Sequence, residues 1–188
     1  MPLTIIDPNT ALLVVDLQKG IVDAPFVHSI DEVVTRAVEL IRAFRTHRLP
    51  IVLVNVAGSA PGRTEQPPRA PAALPAGFTD FLPDLDRQPG DLVVTKHSWG
   101  AFAGTGLEAR LKGIGVTQVV VVGVATGTGV EATARQAYEA GFNVTLAIDA
   151  MTDRRAEAHA YSIASVFPRL GETGTTQEII DLLAQRSA

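Results

Sequence analysis

Cysteine is absent from all 188 residues. That excludes a disulfide framework, a thiolate metal site, an iron–sulfur cluster and a cysteine nucleophile. Positive charge is also in short supply, with 16 Lys and Arg against 20 Asp and Glu and a formal charge of -4. Such a chain has no basic field to collect phosphates along a backbone, so no nucleic-acid partner is expected. Long apolar runs are missing too, since none approaches the ~20 residues that span a bilayer. Met1–Asn9 shows no basic segment ahead of an apolar core. The expectation is a cytoplasmic protein with no membrane partner.

What is present fits one globular domain over residues 1–188, because 46% of the residues are hydrophobic. A chain of this length buries roughly 70% of its unfolded surface. Short runs rich in Val, Ile and Leu recur at Ala11–Asp16, Ile51–Val56, Asp91–Thr95, Gln118–Val122 and Val144–Asp149. They lack apolar/polar alternation, which predicts strands buried on both faces. Ser29/Glu32, Thr105/Glu108, Thr128/Glu131 and Thr175/Glu178 have the spacing of capping boxes, where hydroxyl and carboxylate each satisfy an orphan amide. Between Asp31 and His47, Val34, Ala37, Val38, Ile41 and Phe44 recur at helical spacing before Pro50 stops the run. Gly113, Gly115 and Gly141 read as helix ends. Strands alternating with helices require right-handed crossovers, so the fold class is α/β, a mostly parallel sheet with helices on both sides. Residues 57–90 break this rhythm with prolines 61, 67, 68, 71, 75, 83 and 89. That stretch reads either as a rigid surface excursion or as a loop covering a substrate.

Ligands of open parallel sheets bind beyond the carboxyl ends of the strands. The first run ends in Asp16-Leu17-Gln18, the third enters Lys96-His97-Ser98-Trp99, and the fourth enters Gly123-Val124-Ala125-Thr126-Gly127-Thr128-Gly129. A carboxylate, an ammonium and a glycine-rich turn opening a helix are therefore expected to meet at one crevice. Burial raises a carboxyl pKa and a nearby ammonium lowers it, and sequence does not say which wins. Backbone amides of the turn suit a developing oxyanion or a bound carboxylate. Each feature also has a plainer reading: Asp16 as a loop cap, Lys96 as a solvated side chain, the glycines as close packing. Trp99 and Phe102 read equally as pocket walls or as packing under the loop. His97 neighbours Lys96 but points the other way along a strand end, which weakens it as a proton shuttle. Thr126, Thr128 and Ser98 offer hydroxyls, yet no histidine is visibly placed to activate them.

The sequence has no Walker A motif and no Gly-x-Ser-x-Gly elbow, and histidines 28, 47, 97 and 159 form no helical zinc pair. Gly104-Thr105-Gly106-Leu107-Glu108-Ala109 matches a loose dinucleotide pattern but does not follow a strand directly, which argues against a nucleotide cofactor. No cofactor and no metal are expected.

Together the segments Ala11-Leu-Leu-Val-Val-Asp16-Leu-Gln18, Val94-Thr-Lys96-His-Ser-Trp99-Gly-Ala-Phe102 and Gly123-Val-Ala-Thr-Gly-Thr-Gly129-Val-Glu-Ala-Thr-Ala-Arg135 resemble the isochorismatase-like hydrolases, also called the cysteine hydrolase superfamily. Asp149-Ala150 matches as well, and the likeness runs from Ala11 to about Gln177. The resemblance implies a three-layer, Rossmann-like sandwich with a six-stranded sheet, its sixth strand near Phe167–Gly171, assembled as a homodimer or larger homo-oligomer. It implies catalytic positions at Asp16, Lys96 and Gly129, the last standing where most members carry cysteine. Gln18, Trp99, Phe102, Val124, Ala125 and Thr128 become the substrate-binding candidates, with a cis peptide between Val124 and Ala125. The metal-binding histidines of nicotinamidases have no counterpart after Ile51. Glycine cannot attack a carbonyl, so the thioester route is closed. The resemblance to isochorismatases with glycine at this position implies that Asp16 protonates a vinyl ether and water completes pyruvate release. The rival reading is a small-molecule binding protein or degenerate enzyme that keeps the pocket without a nucleophile.

Overall fold

The computed structural model describes residues 3–65 and 74–186. Its centre is a six-stranded parallel sheet of order β3-β2-β1-β4-β5-β6. The strands are β1 (Thr10–Val15), β2 (Ile51–Val56), β3 (Leu92–Lys96), β4 (Gln118–Val124), β5 (Asn143–Thr152) and β6 (Glu172–Gly174). All six residues of β1 and all seven of β4 are buried, as expected for central strands covered on both faces.

Alternation along β1 assigns its side chains to two cores. Ala11, Leu13 and Val15 join Leu107 and Leu111 of α3 (Leu107–Gly113) and Ala134 and Ala137 of α4 (Glu131–Glu139). Leu12 and Val14 face the other way, toward α2 (Ile30–Thr46), which follows the single-turn α1 (Lys19–Val22), and toward α6 (Thr176–Gln185). Helix α2 buries Val33, Ala37, Leu40, Ile41 and Phe44, while Val34 and Val38 are only half-buried. The sequence stripe was thus displaced by part of a turn, because a helix lying on a sheet buries a band wider than a single row of side chains.

The sixth strand lies at Glu172–Gly174 rather than near Phe167–Gly171. Phe167–Arg169 forms a 3-10 turn that buries Phe167, and Pro168 supplies no backbone N–H for a sheet ladder. Of the four capping spacings, Thr175/Glu178 forms the complete reciprocal box on α6. Ser29 accepts the Glu32 N–H at 3.4 Å, which is half of a box. Thr105 and Thr128 are not N-caps: Gly106 precedes α3, and Thr128 lies inside a π-helical turn, Thr126–Val130, that runs directly into α4.

Within residues 57–90, 66–73 lie outside the described residues. The portion from 74 onward is tied to the strand ends. Phe81 bridges to Gln18, Asn55 Nδ2 donates to Thr79 O at 2.9 Å, and Leu85 is buried.

Candidate active site

Asp16 follows β1 at the C-terminal edge of the sheet. Its backbone adopts φ 54°, a left-handed conformation that few non-glycine residues occupy and that clusters at functional sites. The Asp16 N–H continues the ladder by donating to Val54 O at 2.9 Å. Lys96 ends β3, two strands away in the sheet order. Its side chain crosses the end of β2, and Nζ donates to Asp16 Oδ2 at 2.8 Å and to Ser98 O at 3.2 Å. Asp16 is 6% and Lys96 2% exposed. The other carboxylate oxygen, Asp16 Oδ1, is buried with no hydrogen-bond partner among the described residues. Burial pushes the Asp16 carboxyl up to about 6, against the charge and hydrogen bond of Lys96, which pull it down. Desolvation therefore wins the contest that sequence left open.

The third component is the turn after β4. Gly123 has φ 112°, and a Cβ there would sit 2.1 Å from Val15 O. Only glycine permits this approach of β4 to β1, which sets the following residues beside Asp16. The Val124–Ala125 peptide is cis, in agreement with the resemblance. Gly129 is buried, and a Cβ built on it points at the pair, 3.1 Å from Asp16 Oδ2, 3.0 Å from Val124 O and 3.3 Å from Val15 Cγ1. Asp16, Lys96 and Gly129 thus come together from β1, β3 and the turn after β4.

The remaining candidates separate. Val124 is buried and Ala125 half-buried at the start of the turn. Thr128 stays local, its N–H and its hydroxyl both donating to Ala125 O at 3.0 and 3.4 Å. Gln18 departs from its expected substrate role. Its buried amide accepts the Val56 N–H at 2.7 Å and donates to Val56 O and Phe78 O at 3.1 and 2.9 Å, so it braces β2 against the returning segment. Phe102 packs on the core beside Phe142, with centroids 5.8 Å apart, and Trp99 is 66% exposed. His97 is exposed, as its place on the strand end implied.

One expectation needs correction. A histidine does stand on a candidate hydroxyl, since His159 Nδ1 lies 2.8 Å from Thr126 Oγ1. The two residues are 33 positions apart, a spacing no local motif records. Asn55, whose buried Oδ1 also has no partner among the described residues, was likewise missed. The described residues contain no group of three or more His, Asp or Glu arranged to hold a metal ion, and none of their helices is long and apolar enough to cross a membrane.

This geometry can be set against known proteins. The Isochorismatase domain family matches residues 10–178. The chain belongs to the isochorismatase family. It is 40% identical over 183 residues to the isochorismatase family protein YecD of Escherichia coli O157:H7, covering 93% of this chain and 96% of that one. A solved isochorismatase family structure from Burkholderia thailandensis superposes with a TM-score of 0.90 at 39% identity, covering 96% and 98% of the two chains. Streptothricin hydrolase of Streptomyces noursei is 38% identical over 141 residues, 74% of this chain and 48% of that one. The isochorismatase-family architecture accounts for the six-stranded sheet flanked by helices.

Proposed function

We propose that this isochorismatase-family protein hydrolyses a small polar molecule without a covalent cysteine intermediate. Asp16 is its proton donor, Lys96 the electrostatic partner and substrate anchor, and the amides of Ala125 and Gly129 the anion-holding site. The observation that carries this reading is the asymmetry of the Asp16 carboxyl. Oδ2 is held by Lys96 and lies beside Gly129, which has no side chain, whereas Oδ1 is buried without a hydrogen-bond partner among the described residues. A carboxyl near pH 6 is still about one-tenth protonated at pH 7, enough to donate, and Lys96 stabilises the carboxylate left behind. The amides of Gly127, Thr128 and Val130 are engaged by Asp153 and Ala125, which supports assigning the anion-holding role to those of Ala125 and Gly129.

For a vinyl-ether substrate of the isochorismate type, the Asp16 proton forms the new C–H bond at the terminal methylene carbon. Water adds to the resulting oxocarbenium carbon and returns a proton to Asp16, and the hemiketal breaks its C–O bond to release pyruvate and the alcohol. This is general acid catalysis, and it needs no nucleophile at position 129. Small amides are the second substrate class to assay.

The test is pyruvate release from isochorismate by the purified protein, with intact-mass spectrometry during turnover. Pyruvate with an unmodified protein mass is the expected result. A covalent adduct on Thr126, Thr128 or Ser98 overturns the noncovalent mechanism, and no turnover of isochorismate or amides, with ligand recovered unchanged, establishes the binding-protein reading that Gly129 favours.

A further inference from the structure

A second cluster of chemistry-bearing side chains meets the same turn at its other end. His159 on α5 (Ala156–Tyr161) and His28, in the segment before α2, face each other with ring centroids 4.7 Å apart. Each Nδ1 meets a fully buried threonine hydroxyl: His159 meets Thr126 at 2.8 Å and His28 meets Thr152 at 3.1 Å. Thr152 Oγ1 already accepts the His28 backbone N–H at 3.2 Å, so its own hydrogen is free to point at the ring. A hydroxyl that donates to Nδ1 requires a neutral imidazole carrying its hydrogen on Nε2. A further tie comes from Asp153, whose Oδ2 accepts the Gly127 N–H at 2.7 Å. The turn is therefore fastened to this cluster at Thr126 and Gly127, and it reaches Asp16 at Gly129.

We propose that His159 is a positioning residue for the Asp16 site: through Thr126 it holds the turn Thr126–Val130 in the arrangement that sets Gly129 against Asp16, and it does so only while its ring is uncharged. The proposal rests on reading Asp16 as the catalytic centre. In the tautomer that carries its hydrogen on Nε2, Nδ1 accepts the Thr126 hydroxyl at 2.8 Å; protonation turns Nδ1 into a donor, and the buried hydroxyl hydrogen loses that acceptor. Burial, and then His28, hold His159 below the ordinary histidine value, with Asp153 opposing them. The charged groups around the pair are Glu32 on α2, Asp149 on β5 and Asp153 just after it. Glu131 of α4 accepts the Ser162 hydroxyl next to α5, and Arg154 lies over the Phe26 ring. The turn itself carries no charge. The carboxylates favour a cationic His159, while burial and the neighbouring His28 oppose it.

The test is an NMR pH titration of the full-length protein, in the wild type and in Asp16→Asn so that the carboxyl's own titration is removed. The His159 ring and the Gly127 and Gly129 amides are expected to share one midpoint, below the ordinary 6.5. In Thr126→Val the ring still titrates, with a higher midpoint, but the glycine amides no longer follow it. In turnover, His159→Asn keeps an acceptor for Thr126 and holds KM within about threefold, whereas His159→Leu raises KM roughly tenfold with a smaller effect on kcat. Glycine amides that stay fixed while His159 titrates, or that follow it equally in Thr126→Val, overturn the proposal. So does a His159→Asn variant no better than His159→Leu. The titration needs no substrate, so its failure is distinct from a failure of pyruvate release, which bears on Asp16 alone.

Discussion

Replacing Lys96 by methionine removes the ammonium and keeps most of the apolar stem, so it isolates the charge that faces Asp16. The two side chains are 2% and 8% exposed, and breaking a buried pair of this kind costs roughly 3–5 kcal/mol when the remaining charge stays ionised. Asp16 has another option, which is to bind a proton. Its folded value of about 6 lies above the 3.8 of the exposed group. A raised carboxyl contributes stability that is present below pH 4 and is lost as pH rises through 6, about 3 kcal/mol in all for the wild type. Without Lys96 both influences that lower the carboxyl vanish, its value rises further, and the loss continues above pH 6 at about 1.4 kcal/mol per pH unit. Lys96→Met is therefore expected to cost at most about 1 kcal/mol at pH 5 and roughly 3–5 kcal/mol at pH 8. Urea unfolding followed by circular dichroism at the two pH values measures the difference. Equal costs at both, or the larger cost at pH 5, refute the argument that desolvation of Asp16 dominates its titration.

Gly123 of β4 and Gly129 of the turn that follows are predicted to behave differently. Gly123→Ala places a methyl 2.1 Å from Val15 O on a backbone with φ 112°, and a loss of roughly 4 kcal/mol or more is expected in thermal melts. Gly129→Ala meets its nearest neighbours at 3.0–3.3 Å, and it should fold with a loss of about 1–2 kcal/mol while lowering turnover by crowding Asp16. Thr175→Ala removes the complete capping box of α6; a loss of about 1 kcal/mol by chemical denaturation is expected, and more than Ser29→Ala gives, because Ser29 makes only one of the two bonds.

The strands were legible in the sequence because a parallel strand buried on both faces must be apolar throughout, as in the runs that became β1, β2 and β4. Strand β6 was not, since Glu172-Thr173-Gly174 is three residues long at the sheet edge and carries neither length nor pattern. Asp16, Lys96 and Gly129 were readable because strand ends of a parallel sheet converge, and the family resemblance fixed their grouping. Gln18 and Phe102 follow the same strand ends as Asp16 and Lys96, yet nothing in the order of residues distinguishes a side chain that braces the backbone or packs on the core from one that faces a crevice. The dependence of Thr126 on His159 was invisible for a related reason, because it joins the turn after β4 to a helix beyond β5 and leaves no local signature.

The central claim is that Asp16 donates the proton in a reaction without a covalent intermediate. Its most direct test is kcat/KM for pyruvate release as a function of pH, measured for the wild type and for Asp16→Asn. The account predicts wild-type activity that falls as pH rises through about 6, and an Asp16→Asn protein that is folded but slower by roughly a hundredfold or more. Comparable turnover in Asp16→Asn, or wild-type activity that instead climbs as the carboxyl ionises, contradicts it.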